Sequence, residues 1–86
     1  MSRYEVGILP SAEKAIAKLP LKVRVRIVEA IDALADHPRP HGVKKLKGEA
    51  DLYRIRVGDC RIVYQIADRR LIVTVVRVGN RKDAYE

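Results

Sequence analysis

The stretch LYRIRVGDCRIVYQIA, residues 52–67, decides the fold because it predicts a β-hairpin that carries three arginines on one face. A Gly-Asp dipeptide stands between two runs of alternating residues, which is a strong sequence signal for a two-residue hairpin turn. That turn places Arg56 directly opposite Arg61 on the neighbouring strand. Side chains alternate along a strand, so Arg54 lies on the same face as this pair.

This predicted arginine face indicates an anionic partner. Like charges directly opposite on a sheet destabilise it by about 0.2–1 kcal/mol per pair, so a chain with such a pair predicts an anion that offsets it. Our hypothesis is the backbone of a nucleic acid. The net charge of +7 is uneven, since residues 44–86 contribute +5 of it. Clustered cations attract phosphates, and they would equally attract an acidic protein segment.

Length and composition limit the class of protein. The chain has 86 residues, which predicts a single domain over residues 1–86 with one modest core. The chain has no Trp or Phe, so aliphatic residues must form the core, and all four aromatics are tyrosines. The single cysteine, Cys60, is expected to be a small buried hydrophobe in a reducing compartment. With no signal-peptide pattern and no membrane-length apolar run, we expect a cytoplasmic protein with no membrane partner.

The N-terminal half predicts a strand and two helices. An extended segment over 4–9 ends at Pro10, and Ser11 is a candidate N-cap for the first helix. Apolar residues recur at helical spacing on both sides of Pro20, which predicts two amphipathic helices joined as a hairpin. The segment DHPRPHG, residues 36–42, is predicted as a loop because of its prolines and glycine.

The C-terminal half predicts the rest of the sheet. A short extended segment over 43–47 precedes the hairpin, and a last strand over 71–78 is apolar on both faces, as in a central strand. The predicted fold class is therefore α+β. Its elements follow the order β-α-α-β-β-β, and the N-terminal helical hairpin packs on one face of a mainly antiparallel sheet.

Most kinds of catalytic site are disfavoured by the sequence. His37 and His41 lie in a proline-bearing loop with no cysteine or carboxylate cluster to complete a metal site, so we expect no metal. The chain has no glycine-rich phosphate loop, and we expect no cofactor. The two serines, Ser2 and Ser11, lie at the N-terminal end of the chain, and no nucleophile arrangement surrounds them.

Basic residues and a tyrosine remain as candidate catalytic groups. Within RNA, attack of a 2′-hydroxyl on the adjacent phosphorus requires alignment and stabilisation of charge on the phosphate. Arginine forks match phosphate oxygens, and tyrosine can stack on a base or hydrogen-bond near the reacting centre, so such a site needs no metal. The catalytic candidates are Arg54, Arg56, Arg61, Arg81 and Tyr85.

Three lysines are predicted to contact RNA beside the hairpin, namely Lys44, Lys45 and Lys47. The sequence does not decide which residue is the general base, because arginine does not give up its proton in a protein. Lys45, Lys47 and Tyr85 are the candidates for that role. A purely binding role for the same cluster is the alternative to catalysis.

The segments KKLKGEADLYRIRVGDCRIVYQI and VTVVRVGNR, with the closing Tyr85, resemble the RelE/ParE superfamily of toxins from type II toxin–antitoxin modules. The resemblance covers nearly the whole chain and is nearest to the RelE branch. It implies a RelE-like, microbial-ribonuclease-like fold. It also implies a toxin that binds the ribosomal A site, cleaves mRNA there to leave a 2′,3′-cyclic phosphate, and so inhibits translation.

The family pattern transfers by position onto the same catalytic candidates, with two departures. The family often has lysines where this chain has Arg54 and Arg56, and one of those lysines is the proposed base. The hairpin turn is also about two residues tighter than in some members. The resemblance further implies a RelB-like antitoxin with an acidic wrapping segment, the ribosome and mRNA, and operator DNA bound through the antitoxin complex.

Two other functions fit the same family. One is a ParE-like inhibitor of DNA gyrase with no nuclease activity, and the other is a degenerate toxin that only binds its antitoxin. The arginines of the hairpin, with Arg81 and Tyr85, favour the nuclease, because a gyrase inhibitor has no evident need of them. Because the chain lacks the family's lysine base, the degenerate toxin remains an alternative.

Overall fold

A five-stranded mixed sheet with two helices on one face forms the protein, for which we use a computed structural model that describes residues 3–46, 48 and 51–80. The strands are ordered β1-β5-β4-β3-β2 across the sheet. In chain order the elements are β1 (Glu5–Ile8), α1 (Pro10–Ala17), α2 (Leu21–Ala33), β2 (Lys44–Lys45), β3 (Leu52–Val57), β4 (Cys60–Ala67) and β5 (Ile72–Asn80).

The predicted α+β class is confirmed, and the order of the elements differs only in that the short extended segment before the hairpin forms an additional strand, β2. Strand β1 pairs with β5, and the two strands run parallel, whereas β2, β3, β4 and β5 pair in antiparallel fashion. The parallel pair is possible because a long connection, made of the helical hairpin and three further strands, joins β1 to β5. This connection is far longer than the one that parallel strands require. The sheet is therefore mixed. Among the described residues, no helix is long and apolar enough to cross a membrane.

The first helix begins two residues earlier than its sequence signal indicates. Pro10 is the first helical residue, Leu9 is the N-cap, and no side chain caps the helix. Proline suits this first position because its φ is fixed near the helical value and its missing N–H has no partner there anyway. Ser11 therefore lies inside the first turn, and its predicted role as N-cap is wrong.

An aliphatic core lies between the helices and one face of the sheet, as the composition predicts. Strands β4 and β5 contribute Ile62, Ile66 and Val73, and α2 contributes Ile27, all of them buried. Cys60 is buried beside them, and burial raises the pKa of its thiol. This confirms its expected place as a small apolar residue.

A β-bulge in β5 changes the face on which the end of that strand displays its side chains. Val63 of β4 lies opposite Arg77, while the next residue, Tyr64, lies opposite Val75, so Val76 is the extra residue. A bulge of this kind shifts the alternation of side chains by one position. The strand is central, as predicted, but its last part carries Arg77 on the face away from the helices.

Hydrogen bonds to tyrosines and an ion pair hold the loop over 36–42 against the sheet. Tyr64 is fully buried and donates its hydroxyl to the carbonyl of Pro38 at 2.7 Å. The guanidinium of Arg39 donates to both carboxylate oxygens of Asp68, at 2.8 and 3.1 Å, and also to the hydroxyl of Tyr53 at 3.2 Å. Burial raises the pKa of Tyr64 to about 12. The loop is thus held at both its backbone and its one arginine.

Asp68→Asn should lower stability at neutral pH, and the loss should disappear in acid. Hydrogen bonds from Arg39 and Tyr4 lower the pKa of Asp68 from an ordinary 3.8 to about 2. A carboxylate with a lowered pKa stabilises the fold above its ordinary pKa and loses this effect as pH falls through its folded pKa. Denaturant unfolding of parent and variant should therefore converge between about pH 4 and pH 2.

Asp36→Asn is the matched control for this measurement. Asp36 forms a single 2.9 Å ion pair with Arg3, whereas Asp68, which is about equally exposed, accepts three hydrogen bonds from Arg39 and Tyr4. A single surface pair contributes little, so Asp36→Asn should unfold like the parent across the same pH range. An Asp68→Asn protein that is as stable as the parent at pH 7 would contradict the assigned role of the Arg39 pair.

Candidate functional site

The hairpin turn sets the position of every arginine in the candidate site. Gly58 has a φ of +61° and Asp59 does not have a positive φ, which is the pattern of a type II′ turn with glycine first. Val57 pairs with Cys60, and Arg56 lies directly opposite Arg61. The register predicted from the sequence is therefore confirmed.

The face of the sheet away from the helices, which we call the open face, collects basic side chains in two neighbouring rows. In one row Lys44, Arg54, Val63 and Arg77 lie opposite one another on β2, β3, β4 and β5. In the next row Arg56 lies opposite Arg61, which lies opposite Gly79. Residues directly opposite in antiparallel strands have Cβ atoms about 4.5–5.5 Å apart and share a face. We call the five basic residues of these rows the cationic face: Lys44, Arg54, Arg56, Arg61 and Arg77.

Carboxylates do not offset this charge within the described sheet. The five strands contain one acidic residue, Glu5, and it lies on β1 at the far edge. Arg56 is exposed and Arg54 is half-buried, and neither forms an ion pair or side-chain hydrogen bond with any residue in the described ranges. Their guanidinium groups are available to an external anion.

Val63 lies at the centre of the cationic face and is only 5% exposed, although it points away from the core. Its neighbours across the sheet are Arg54 on one side and Arg77 on the other. Arginine covers apolar surface with its aliphatic stem and keeps the guanidinium in water. The burial of Val63 is consistent with stems that lie over it from both sides.

The structure groups the predicted site residues unevenly. Arg54, Arg56 and Arg61 share the open face, and Lys44 joins them opposite Arg54. Lys45 lies opposite Tyr53 instead, which places it on the face toward the helices, because successive residues of a strand point to opposite faces. Both lysines thus lie beside the hairpin, as expected, but only Lys44 shares the open face with the arginines. The other predicted site residues, Lys47, Arg81 and Tyr85, lie outside the described residues.

Arg77 is a cationic residue that the sequence patterns do not assign to this face. Simple alternation along an apolar strand gives no signal for the bulge at Val76, and the bulge alone brings Arg77 opposite Val63. The only cue in the sequence is a lone arginine within VTVVRVGN. The candidate site is therefore one cation larger than the hairpin indicates.

A groove of about 740 Å³ borders the cationic face at Arg56. Leu34 at the end of α2, Pro40 of the loop, and Ile55 and Val57 of β3 form much of its wall. Strand β2 pairs only with Tyr53 and Arg54, so the edge of β3 beyond them is open toward this groove. Arg56 thus lies between an apolar groove and a cationic surface.

Comparisons with known proteins agree on one family. The family model of the ParE toxin of type II toxin–antitoxin systems, parDE, matches residues 6–85. A putative RelE-like toxin protein of Escherichia coli is 34% identical over 87 residues, covering 96% of this chain and 90% of that protein. The mRNA interferase toxin RelE of E. coli K12 is 33% identical over 73 residues, covering 83% of this chain and 76% of that protein.

A solved structure agrees with them. In the archaeal RelE–RelB complex from Pyrococcus horikoshii OT3, the matching chain superimposes on this one with a TM-score of 0.83 at 32% identity. The match covers 98% of this chain and all of that chain. The likeness therefore extends over the whole described sheet and both helices.

Arg56→Gln should raise the free energy of unfolding by about 0.2–1 kcal/mol at low ionic strength, because it removes the repulsion between two arginines placed directly opposite. The gain should shrink toward 1 M salt, where the screening length falls to about 3 Å. Denaturant unfolding at several salt concentrations measures both effects. Lys45→Gln, on the other face of the sheet, is the control and should show neither; a less stable Arg56→Gln protein would contradict this view of the cationic face.

Proposed function

Because this chain belongs to the ParE toxin family of type II toxin–antitoxin systems and is a RelE-like member of it, we propose that it is an endoribonuclease that cleaves mRNA in the ribosomal A site. Cleavage of translated messages inhibits protein synthesis. The observation that carries the proposal is the cationic face, where arginines from both strands of one hairpin lie directly opposite one another on the same face of the sheet. Such a surface suits an RNA phosphate.

In the proposed reaction the 2′-oxygen attacks the adjacent phosphorus, the bond to the 5′-oxygen breaks, and a 2′,3′-cyclic phosphate forms. Arg54, Arg56 and Arg61 would orient the phosphate and stabilise the negative charge that develops on its oxygens. Guanidinium groups do this as fixed cations, so we propose a metal-independent reaction. The residues of this face carry no imidazole, thiol or carboxylate that would ligate a metal.

Proton transfer needs groups other than the hairpin arginines, because arginine stays protonated in proteins. We propose that Arg81 and Tyr85, from the segment that follows β5, complete the site. Arg81 would add a further cation, and the phenol of Tyr85 would hydrogen-bond at the reacting centre. Lys47 and Tyr85 remain the candidates for the base, whereas Lys45 starts from the opposite face of the sheet.

The proposed partners follow from the same surface. The Pyrococcus relative forms a complex with RelB, and we propose a RelB-like antitoxin for this chain. An acidic antitoxin segment laid over the cationic face would offset the repulsion between Arg56 and Arg61 and exclude mRNA. The ribosome and mRNA would be the working partners in the cytoplasm, and operator DNA would be bound through the toxin–antitoxin complex. The proposed reaction involves no cofactor.

A gyrase inhibitor is the second candidate, since the matching family model describes the ParE toxin. Primer extension on cellular mRNA after induction separates the two functions. Cuts within translated reading frames would support the nuclease. Intact mRNA together with DNA damage would support the gyrase inhibitor, and neither effect together with antitoxin binding would indicate a degenerate toxin.

Arg61→Gln should reduce cleavage of mRNA on programmed ribosomes by about 10²–10³-fold, the usual cost of removing one group that stabilises transition-state charge. Arg81→Ala and Tyr85→Phe should also lose most cleavage. Arg70→Gln, an exposed arginine in the turn at the opposite end of β4, is the control and should cleave like the parent. If the Arg61, Arg81 and Tyr85 variants all retain parental rates, the proposed active site is wrong.

A further inference from the structure

The bulge in β5 extends the cationic face across a third major strand. Arg77 is exposed and lies opposite Val63, two strands away from Arg54 and one row away from Arg61. Strands of a sheet are about 4.8 Å apart, so the backbones at Arg54 and Arg77 are about 10 Å apart. This separation exceeds the size of one phosphate group, which a single arginine fork can hold. The row therefore has room for more than one phosphate.

The space over Gly79 adjoins Arg77 on this face. Gly79 follows Arg77 by two residues on the same strand and lies opposite Arg61. Among the described residues, a Cβ built on Gly79 would meet no atom within 4 Å. No described side chain fills this space between Arg61 and Arg77, which we call the depression over Gly79.

We propose that Arg77 and the depression over Gly79 hold a second RNA phosphate, the one next to the phosphate that is cleaved. This inference rests on the proposed nuclease function and adds a binding position to it. Arg77 would grip the RNA chain and set its path across the sheet, and Arg61 would lie between the two phosphates. Arg77 is in this sense a positioning residue and takes no part in bond breaking.

In the proposed contact Arg77 binds a phosphate and not a base edge, and no described aromatic ring lies on this face to stack on a base. The described groups here are guanidiniums, Val63 and a glycine backbone, while Tyr53 and Tyr64 lie on the other face of the sheet. Contacts of cations with phosphates fix the register of a nucleic acid but carry no sequence information. Arg77 should therefore affect all RNA sequences alike.

Binding of a single-stranded 2′-O-methyl RNA, which cannot be cleaved by 2′-oxygen attack, tests the inference directly. Arg77→Gln should weaken binding about tenfold for every sequence tried, and the slope of log K against log salt should become shallower by about 0.7. Arg77→Lys should recover part of the affinity, since a point charge still attracts phosphate. Arg70→Gln removes the same charge at the other end of the sheet and should bind nearly as the parent does.

Gly79→Val fills the depression and leaves every cation in place. Valine is favoured in strands, so the fold should be retained, and near-parental far-UV circular dichroism checks this. The variant should also bind the 2′-O-methyl RNA more weakly. On programmed ribosomes both variants should raise the toxin concentration needed for half-maximal cleavage, while the rate at saturation stays close to that of the parent.

Several results would overturn the inference. One is RNA binding by Arg77→Gln equal to that of Arg70→Gln, and another is a loss confined to the cleavage rate at saturation. A third is unchanged RNA binding with weaker binding of a glutamate-rich peptide, which would assign the position to an acidic protein segment. Failure of the parent to cleave mRNA would instead reject the proposed nuclease, and the RNA-binding measurement separates that case from failure at Arg77.

Discussion

The fixed opposition of Arg56 and Arg61 across a two-residue turn is the constraint on which the rest of the structure depends. Gly58 adopts the positive φ that closes this turn, and the turn fixes the register of β3 against β4. A slip of β3 by one residue would send Arg54 and Arg56 toward the helices and bring Ile55 out to solvent. The same register therefore builds the aliphatic core on one face and the cationic face on the other.

The two faces of the sheet have opposite energetic roles. On the helix side, buried aliphatic residues such as Ile27 and Ile62 supply the favourable burial that holds a chain of this size together. On the open side, cations from four strands repel one another, and no carboxylate of these strands lies among them. Stability comes from one face, and the other face is where the proposed function places an anionic partner.

Local patterns predicted much of this arrangement, and long-range contacts account for what they missed. The hairpin, its register and the sharing of a face by its three arginines follow from neighbouring residues. The parallel pairing of β1 with β5 joins residues about 67 positions apart, and no local pattern encodes it. The bulge at Val76 lies in an apolar run, where the alternation of polar and apolar residues gives no signal for it. The ion pair of Arg39 with Asp68 joins a loop to a distant turn, and neither residue alone signals it.

Arg81 and Tyr85 differ from these cases, because their assignment rests on the family pattern of the chain. Lys45 shows the limit of proximity arguments, since adjacent residues of a strand point to opposite faces. Composition gave the aliphatic core correctly, because a chain with no Trp or Phe has few alternatives.

The tyrosines that anchor the loop also give the protein an intrinsic spectroscopic signal. The rings of Tyr53 and Tyr64 stack with centroids 6.1 Å apart, and the guanidinium of Arg39 lies 5.0 Å from the centre of the Tyr53 ring. With no tryptophan in the chain, no indole band obscures tyrosine absorbance or near-ultraviolet circular dichroism. A change in the docking of the loop would therefore alter an intrinsic spectroscopic signal, without any label and independently of what the open face binds.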